Sequence, residues 1–405
     1  MAIECAQDPM TVRVLHVVDS LWGGGAEVSM LSYLKVVGNR ADTVHRAVVL
    51  RGDPPSREAA AGLPVSIAFG PSRPGIRWAD ARLIRSQFAD FEPDLVHSVL
   101  FRSTLAAARA TGPSRIPMLV TLTSVAYEID DLASAPSMRA RLGLRASHAI
   151  HGLILRGKRV SIRAVSQPVA DRAVGVFRID PEAIAVIPDL RADPRESVTA
   201  EPAELRRRLG IAEDAPVLVY MAREHPIKDH GSLLEAVALL LEDRPGLQVL
   251  LAGAPGAATR SIDQAIDGLG LEGTVIRLGH RDDVPDLLAA SDVFVSSSTS
   301  EGLGASAIEA MGMGLPVVAV DNPGIREVLG ETHPGLVPRG DRAGFADRVR
   351  RFLNDDSLRQ SVSHNARSRF LEVFEIERNA WRLDEVSRRA VDRYPRARSR
   401  RRGRG

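Results

Sequence analysis

The chain opens with an apolar run, Val12–Val18 (VRVLHVV), that is short, β-branched and nearly continuous. Such a run reads as a strand buried on both faces. A turn over Ser20–Gly25 follows, and then Val28, Leu31, Leu34 and Val37 recur at helical spacing. Further strand candidates lie at Arg46–Leu50, Val65–Phe69, Leu95–His97, Met118–Thr121, Ser161–Val165 and Ala185–Pro188, with helical stretches between most of them. Strand–helix alternation predicts a parallel sheet with helices on both faces. The polar stretch Pro188–Pro202 holds three prolines and no periodicity, and reads as an interdomain linker. The pattern then restarts, with strands at Val217–Met221, Val249–Ala252, Val275–Leu278, Val293–Ser296 and Val317–Val320 and a first helix at Ser232–Leu241. A helical region, Arg342–Asp392, closes the chain.

The predicted fold class is therefore α/β, with two doubly wound, Rossmann-like domains. The expected boundaries are 1–188 for the first domain and 203–375 for the second. A terminal helix over 376–394 and a disordered Arg-rich tail over 395–405 complete the reading.

Composition narrows the function classes. With 405 residues, 44% of them hydrophobic and 26% charged, the chain suits two globular cores and excludes a mostly disordered protein. No apolar stretch is long enough to span a membrane, and Met1–Met10 carries Glu4 and Asp8, unlike a secretory signal. The single cysteine, Cys5, has no partner for a disulfide, so a cytoplasmic location is expected. Net charge is +2, but the tail alone carries six arginines. The body is then mildly acidic, which argues against nucleic acid as a partner. Lys35, Lys158 and Lys228 are the only lysines among 53 basic residues, so each stands out against a strong arginine bias.

Three stretches carry candidate chemistry. Trp22-Gly-Gly-Gly-Ala-Glu27 joins the first strand to the first helix, where Gly24 and Gly25 let backbone approach a phosphate or sugar. A bare tight turn is the competing reading. Val28 occupies the place of the third glycine in a dinucleotide fingerprint, which weakens a nicotinamide-dependent dehydrogenase. Met221–Gly231 follows a strand end, where open α/β sheets bind ligands. In it Arg223 offers a planar fork and Lys228 a compact charge, a plausible pair for a diphosphate rather than two solvated loop cations. The third stretch runs from Val293 to Met311. Its Ser/Gly loop holds Glu301, Gly302, Leu303 and Gly304, and Glu309 follows inside the next helix. Free N–H groups at that helix start can hold a phosphate, Glu309 can accept from a ribose, and Glu301 from sugar hydroxyls. The acid pairs Asp130/Asp131 and Asp282/Asp283 lack histidine or cysteine at ligand spacing, so no metal site is expected.

The Glu301/Glu309 spacing, Glu-x7-Glu, resembles the signature of retaining glycosyltransferases of family 4, which have the GT-B fold. The resemblance covers nearly the whole chain. It includes Asp19–Glu27, Pro93-Asp-Leu-Val-His97, Ala164-Val-Ser166, the Arg223-x4-Lys228 pair, Gly279–Leu288 and Gly314-Leu-Pro-Val-Val318. It implies two domains facing a cleft, with the last helices crossing back to the first domain. The second domain would bind a nucleotide-sugar donor. The first would bind a sugar, glycolipid or other hydroxyl acceptor. Neither a cofactor nor a metal is implied for the diphosphate, and Arg223, Lys228 and Glu301 take the catalytic roles.

The acceptor side departs from the family pattern. Ser124 stands near a position where many members have histidine, Asp189-Leu replaces the usual Asn-Gly, and Pro323-Gly324 replaces a glycine pair. His97 is a candidate acceptor contact or a satisfied structural histidine. The implied role is sugar transfer with retention of configuration, in cell-surface polysaccharide or glycolipid synthesis. A dehydrogenase and a degenerate nucleotide-sugar-binding module remain the alternatives. From Met138 to Arg159 six basic residues and no acid are interleaved with Leu and Ile, so this segment either touches an anionic membrane from the inner face or packs on the sheet.

Overall fold

Residues 11–22, 24–37, 42–71, 78–124 and 137–394 are described by the computed structural model; Cys5, Asp130, Asp131 and the Arg-rich tail lie outside them. The chain divides into two units, one made of Met1–Leu190 with Asn379–Gly405, the other of Arg191–Arg378.

In the first unit seven strands form one sheet: β1 (Val12–Val18), β2 (Thr43–Val49), β3 (Ser66–Phe69), β4 (Leu95–Val99), β5 (Met118–Leu122), β6 (Val160–Ala164) and β7 (Ile184–Val186). Their order is β3-β2-β1-β4-β5-β6-β7, with all neighbours parallel. In the second unit β8 (Val217–Met221), β9 (Gln248–Ala252), β10 (Val275–Gly279), β11 (Val293–Ser296), β12 (Val317–Val320) and β13 (Leu336–Val337) follow the order β10-β9-β8-β11-β12-β13. In each sheet the winding reverses beside the first strand, between β1 and β4 and between β8 and β11. At such a switch point the loops leaving the carboxyl ends diverge and open a crevice. The strands β4, β5, β6, β8 and β11 are buried along their whole length, β8 as an apolar run and β4 and β6 with buried His97, Ser98, Ser161 and Arg163 among their apolar residues.

The stretch 188–202 contains the division between the two units, where an interdomain linker was expected, and the part beyond it is held by fixed contacts. Asp193 pairs with Arg367, Pro194 packs on Gly312, and Thr199 and Ala200 donate their backbone N–H groups to Asp286. It is polar because its partners are polar, and aperiodic because it is threaded through fixed contacts. The two-residue strand β13 was not foreseen, being too short to show a period. The last helix, Trp381–Arg393, belongs to the first unit. There the Tyr33 hydroxyl donates to Asp384 at 2.6 Å, and Arg388 pairs with Asp42.

Buried polar groups cross the first sheet in a single file. Thr43, His45, His16, His97 and Thr121 are linked by contacts of 2.9, 2.9, 3.0 and 2.8 Å. A neutral imidazole offers one donor and one acceptor nitrogen, so the row closes without a clash if every ring donates in the same direction. Burial, with repulsion from His97 and His45, pushes His16 well below the usual histidine pKa; burial, with repulsion from Arg163 and His45, lowers His97 to about 3.

These shifts set the acid stability. The native state refuses protons that the unfolded chain binds below about pH 6.5. Stability is therefore complete above that pH and falls as pH drops toward the folded values, by about 1.4 kcal/mol per pH unit for each such histidine. Urea unfolding should show a clear loss between pH 7 and pH 5, and His97→Asn should flatten the slope. A midpoint that stays constant across that range contradicts the neutral row.

Candidate active site

The crevice of the second unit is built around two loops. The loop after β8 turns through a short 3-10 helix, Pro226–Lys228, and the loop after β11 runs from Ser297 to Gly304. They are laced together below the surface. The Tyr220 hydroxyl lies 2.7 Å from the Lys228 carbonyl and 2.9 Å from Ser298 Oγ, and Ser297 Oγ donates to the same carbonyl at 2.9 Å. Thr299 donates its backbone N–H to the Ile227 carbonyl, also at 2.9 Å. Burial, the dominant influence, pushes the Tyr220 hydroxyl pKa up, so it remains a donor. The run of serines after β11 thus supplies hydroxyls where long side chains would not fit.

This lacing brings Lys228 Nζ to 2.6 Å from Glu301 Oε1, with side chains 21% and 16% exposed. Both ends can therefore be reached from solvent while held in one geometry. Arg223, on the same loop as Lys228, is exposed and makes no ion pair among the described residues. Beside it Glu224 is buried and committed. Burial alone would raise its carboxyl pKa, but the Thr259 hydroxyl and the Arg277 guanidinium outweigh that and hold it low.

Gly302 and Leu303 lead into the helix Ala305–Met313. Gly304, the residue before it, has φ +91°, and a Cβ there would meet Ile325 Cδ1 at 2.6 Å, so both conformation and space call for glycine. The helix starts with no side-chain cap; the Ala307 and Ile308 N–H groups donate to the Gly304 carbonyl, and those of Ala305 and Ser306 receive no capping side chain. Asn322 ties the next helix to this loop. Its Nδ2 donates to the Ser298 carbonyl at 3.0 Å, and its Oδ1 accepts from the Ile325 N–H at 3.1 Å. That helix starts so close that a Cβ on Gly324 would lie 2.4 Å from the Glu301 carbonyl oxygen.

Glu309 keeps about a fifth of its side chain exposed. Burial of the carboxyl, the largest influence, raises its pKa, and Arg191 opposes the rise. Arg191 is the partner that the sequence did not disclose. Its Nε donates to Glu309 Oε1 at 3.1 Å, and its side chain is only 2% exposed. Among the described residues no three His, Cys, Asp or Glu side chains gather where they could hold a metal.

In the first unit Gly24 and Gly25 stand at the start of the helix Gly25–Val37, with the Val28 N–H donating to the Gly24 carbonyl at 3.0 Å. Ser29 on this helix donates to Asp189 Oδ1 at 3.1 Å, and Arg163 holds the same oxygen at 3.0 Å. Asp189 therefore braces the glycine loop from behind. Ser124 is exposed beyond the end of β5. His97 is buried, and both ring nitrogens lie within hydrogen-bonding distance of His16 and Thr121. A cavity beside it, lined by Ser29, Thr121, Arg163 and Asp189, measures about 10 Å3, too small for a sugar.

Known proteins place these features in context. Residues 23–189 match the family model described as Glycosyltransferase Family 4, and residues 202–369 match that of Glycosyl transferases group 1. The glycosyltransferase EpsD of Bacillus subtilis is 34% identical over 184 residues, covering 44% of this chain and 48% of the relative. D-inositol 3-phosphate glycosyltransferase of Geodermatophilus obscurus is 33% identical over 232 residues, covering 52% of this chain and 51% of the relative. The chain thus spans about half the length of these curated relatives. The crystal structure of Anabaena Alr3699/HepE in complex with UDP-glucose superposes with a TM-score of 0.77 at 21% identity, over 92% of this chain and 98% of that one.

The contact at Gly324 yields a direct test of the loop packing. Gly324→Ala should force the Glu301 loop outward and cost about 1–3 kcal/mol, the usual penalty for overpacking. Denaturant unfolding measures it; unchanged stability would show that the two backbones are not in contact.

Proposed function

Because the chain belongs to glycosyltransferase family 4 and has the GT-B fold, we propose that it moves a sugar from a nucleoside diphosphate sugar to a hydroxyl acceptor with retention of anomeric configuration. The observation that carries this reading is the Lys228–Glu301 pair at 2.6 Å, with Arg223 on the Lys228 loop making no ion pair among the described residues and a helix start that has no side-chain cap. In the reaction, charge builds on the leaving diphosphate. Lys228 supplies a point charge and Arg223 a fork to neutralise it, and the helix N-terminus adds its partial positive charge. Glu301, already oriented by Lys228, accepts from hydroxyls of the donor sugar. Glu309 accepts from the ribose. No cofactor enters this scheme.

The bound UDP-glucose of the Anabaena structure supports a uridine donor. The departing phosphate oxygen takes the acceptor proton on the same face as attack, so no side chain need serve as base. Ser124, whose hydroxyl is too weak a base at neutral pH, fits a positioning role at the acceptor. The lipopolysaccharide core biosynthesis glycosyltransferase LpsE of Rhizobium meliloti, 34% identical over 173 residues that cover 42% of this chain and 49% of the relative, favours a cell-surface polysaccharide or glycolipid as product.

A glycolipid acceptor also draws support from the helix Met138–Leu155. Its Met138, Leu142 and Leu153 are 69%, 57% and 66% exposed, and only His151, Gly152 and Leu155 are buried. Arg139, Arg141 and Arg145 accompany them with no acid. The helix packs on β6 and on the helix Phe101–Thr111 through its buried face, and the apolar side chains left exposed on the rest of it suit an anionic lipid surface together with the arginines. No helix among the described residues is long and apolar enough to cross a membrane.

Arg223→Ala and Lys228→Ala should each cost on the order of 2–4 kcal/mol of transition-state stabilisation, read as kcat/KM with UDP-glucose or another nucleotide sugar that raises the melting temperature. Proton NMR of the first-formed product should show the donor's configuration, and an inverted centre sinks the retaining assignment. Vesicles containing phosphatidylglycerol should carry the protein in flotation, whereas phosphatidylcholine alone should not. Arg139→Glu with Arg141→Glu should abolish that binding; equal flotation on both vesicles, or none, removes the membrane face.

A further inference from the structure

The helix that carries Glu309 is gripped from behind by two short stretches of chain, residues 191–195 and 367–376. Arg195 donates Nε and Nη2 to the carbonyl of Met313, the last helical residue, at 3.1 and 2.8 Å. Arg367 donates to the Gly312 carbonyl at 2.6 Å and pairs with Asp193. Gly312 lies so close to Pro194 and Phe370 that a Cβ would meet them at 2.7 and 3.0 Å. The two stretches are also joined to each other. The Arg191 N–H donates to the Phe374 carbonyl at 2.8 Å, and the Ile376 N–H donates to the Arg191 carbonyl at 2.9 Å. The backbone of Arg191 is thus fixed on both sides, and its side chain, 2% exposed, ends 3.1 Å from Glu309.

We propose that Arg191 is a positioning residue for the donor site, aiming the Glu309 carboxylate at the ribose of the nucleotide. This rests on the reading of Glu309 as a donor contact. Arg191 is too buried to meet the donor itself, so it acts through Glu309. One carboxylate oxygen is held by Nε, which leaves the other to accept from a ribose hydroxyl. Burial works against a charged carboxylate here, and a fixed guanidinium compensates for it.

Charged groups on the other elements around this helix are engaged elsewhere. Asp286 accepts from Thr199 and Ala200. Arg326 pairs with Asp321. Arg369 donates to the Val328 and Glu327 carbonyls. Arg195 and Arg367 hold the helix end. Glu327, Glu372 and Glu375 stand on packed neighbouring segments, and the N–H groups of Glu377 and Arg378 cap Glu375. Arg191 is the cation in contact with Glu309.

The test is calorimetric binding of UDP, or of GDP if the unaltered chain prefers it, from pH 6 to pH 8.5. The unaltered chain and Glu309→Gln should share one pH profile, set by the terminal phosphate of the nucleotide, which titrates at about pH 6, and the dependence attributed to Glu309 is read as the departure from it. Arg191→Met should weaken binding on the order of tenfold at neutral pH. It should also add a pH dependence, with affinity recovering as pH rises, because Glu309 must then lose its proton unaided. Glu309→Gln should weaken binding without that added pH dependence and should make the further change at Arg191 nearly silent. Should Arg191→Met not fold, Arg191→Lys keeps the charge but loses the planar geometry. Its weaker effect should likewise vanish in the Glu309→Gln background.

Two outcomes overturn the proposal. If Glu309→Gln weakens binding but a folded Arg191 variant binds as the unaltered chain does at every pH, Arg191 does not position Glu309, and the donor reading stands. If Glu309→Gln binds normally, Glu309 is not a donor contact, and the proposal falls with that reading.

Discussion

An ammonium and a carboxylate 2.6 Å apart, on loops leaving two adjacent strands, impose most of what surrounds them in the second unit. A half-buried pair of this kind gives little net stability, since desolvation offsets much of the attraction. Its worth lies in geometry, and geometry has to be supplied by neutral groups nearby. Tyr220, Ser297 and Thr299 supply it by binding the carbonyls of Ile227 and Lys228, so that the Lys228 loop cannot drift from β11. Glycine supplies the rest. Gly304 turns the chain into a helix whose start has no side-chain cap, and Gly324 allows the following helix to touch the Glu301 backbone. Each requirement is small, but together they explain why this stretch is so rich in serine and glycine.

What could be read from sequence followed from how local each signal is. The strands of both sheets show as apolar runs because burial on two faces leaves no room for alternation. Arg223, Lys228, Glu301 and Glu309 could be singled out because they lie in the loops that follow two strands or inside the helix that follows one, positions that local pattern identifies. Arg191 could not. It is separated from Glu309 by 118 positions, and it lies in a stretch whose prolines and polar residues imitate a linker. Nothing local distinguishes an arginine threaded through fixed contacts from one in solvent. His97 illustrates the reverse case. Its sequence position left open an acceptor contact or a satisfied structural histidine, and in the middle of β4 its neighbours His16 and Thr121, on β1 and β5, lie within hydrogen-bonding distance of both ring nitrogens.

The arginine bias of the sequence acquires a structural use. Arg195 binds the carbonyl at the end of one helix, Arg206 that of Ala290 after another, and Arg369 those of Glu327 and Val328 in a third. Helix ends leave carbonyls without partners, and a guanidinium can satisfy two acceptors at once in a fixed plane. A lysine would satisfy them less rigidly. The bias therefore does not prevent a tight structure, and it sharpens the contrast at Lys228. There a compact charge meets a single carboxylate oxygen, and under the proposed function it could also reach a phosphate more freely than a fork bound to one geometry.

The two crevices differ in how far they depart from the family pattern, and the departure is compensated where it occurs. Asp189 puts a negative charge where a neutral asparagine is usual. An unpaired carboxylate at 6% exposure would be costly. Arg163, itself 3% exposed, meets it at 3.0 Å and also binds the carbonyls of Ile187 and Pro188, while Ser29 adds a hydroxyl from the helix that follows the glycine loop. The change is thus absorbed behind the loop, not in its exposed face. Under the proposed function, a diphosphate would present the same charge in any donor, whereas acceptors would differ in shape and polarity, so a loop change over the first sheet is compatible with that reading as long as the sheet beneath balances each buried charge.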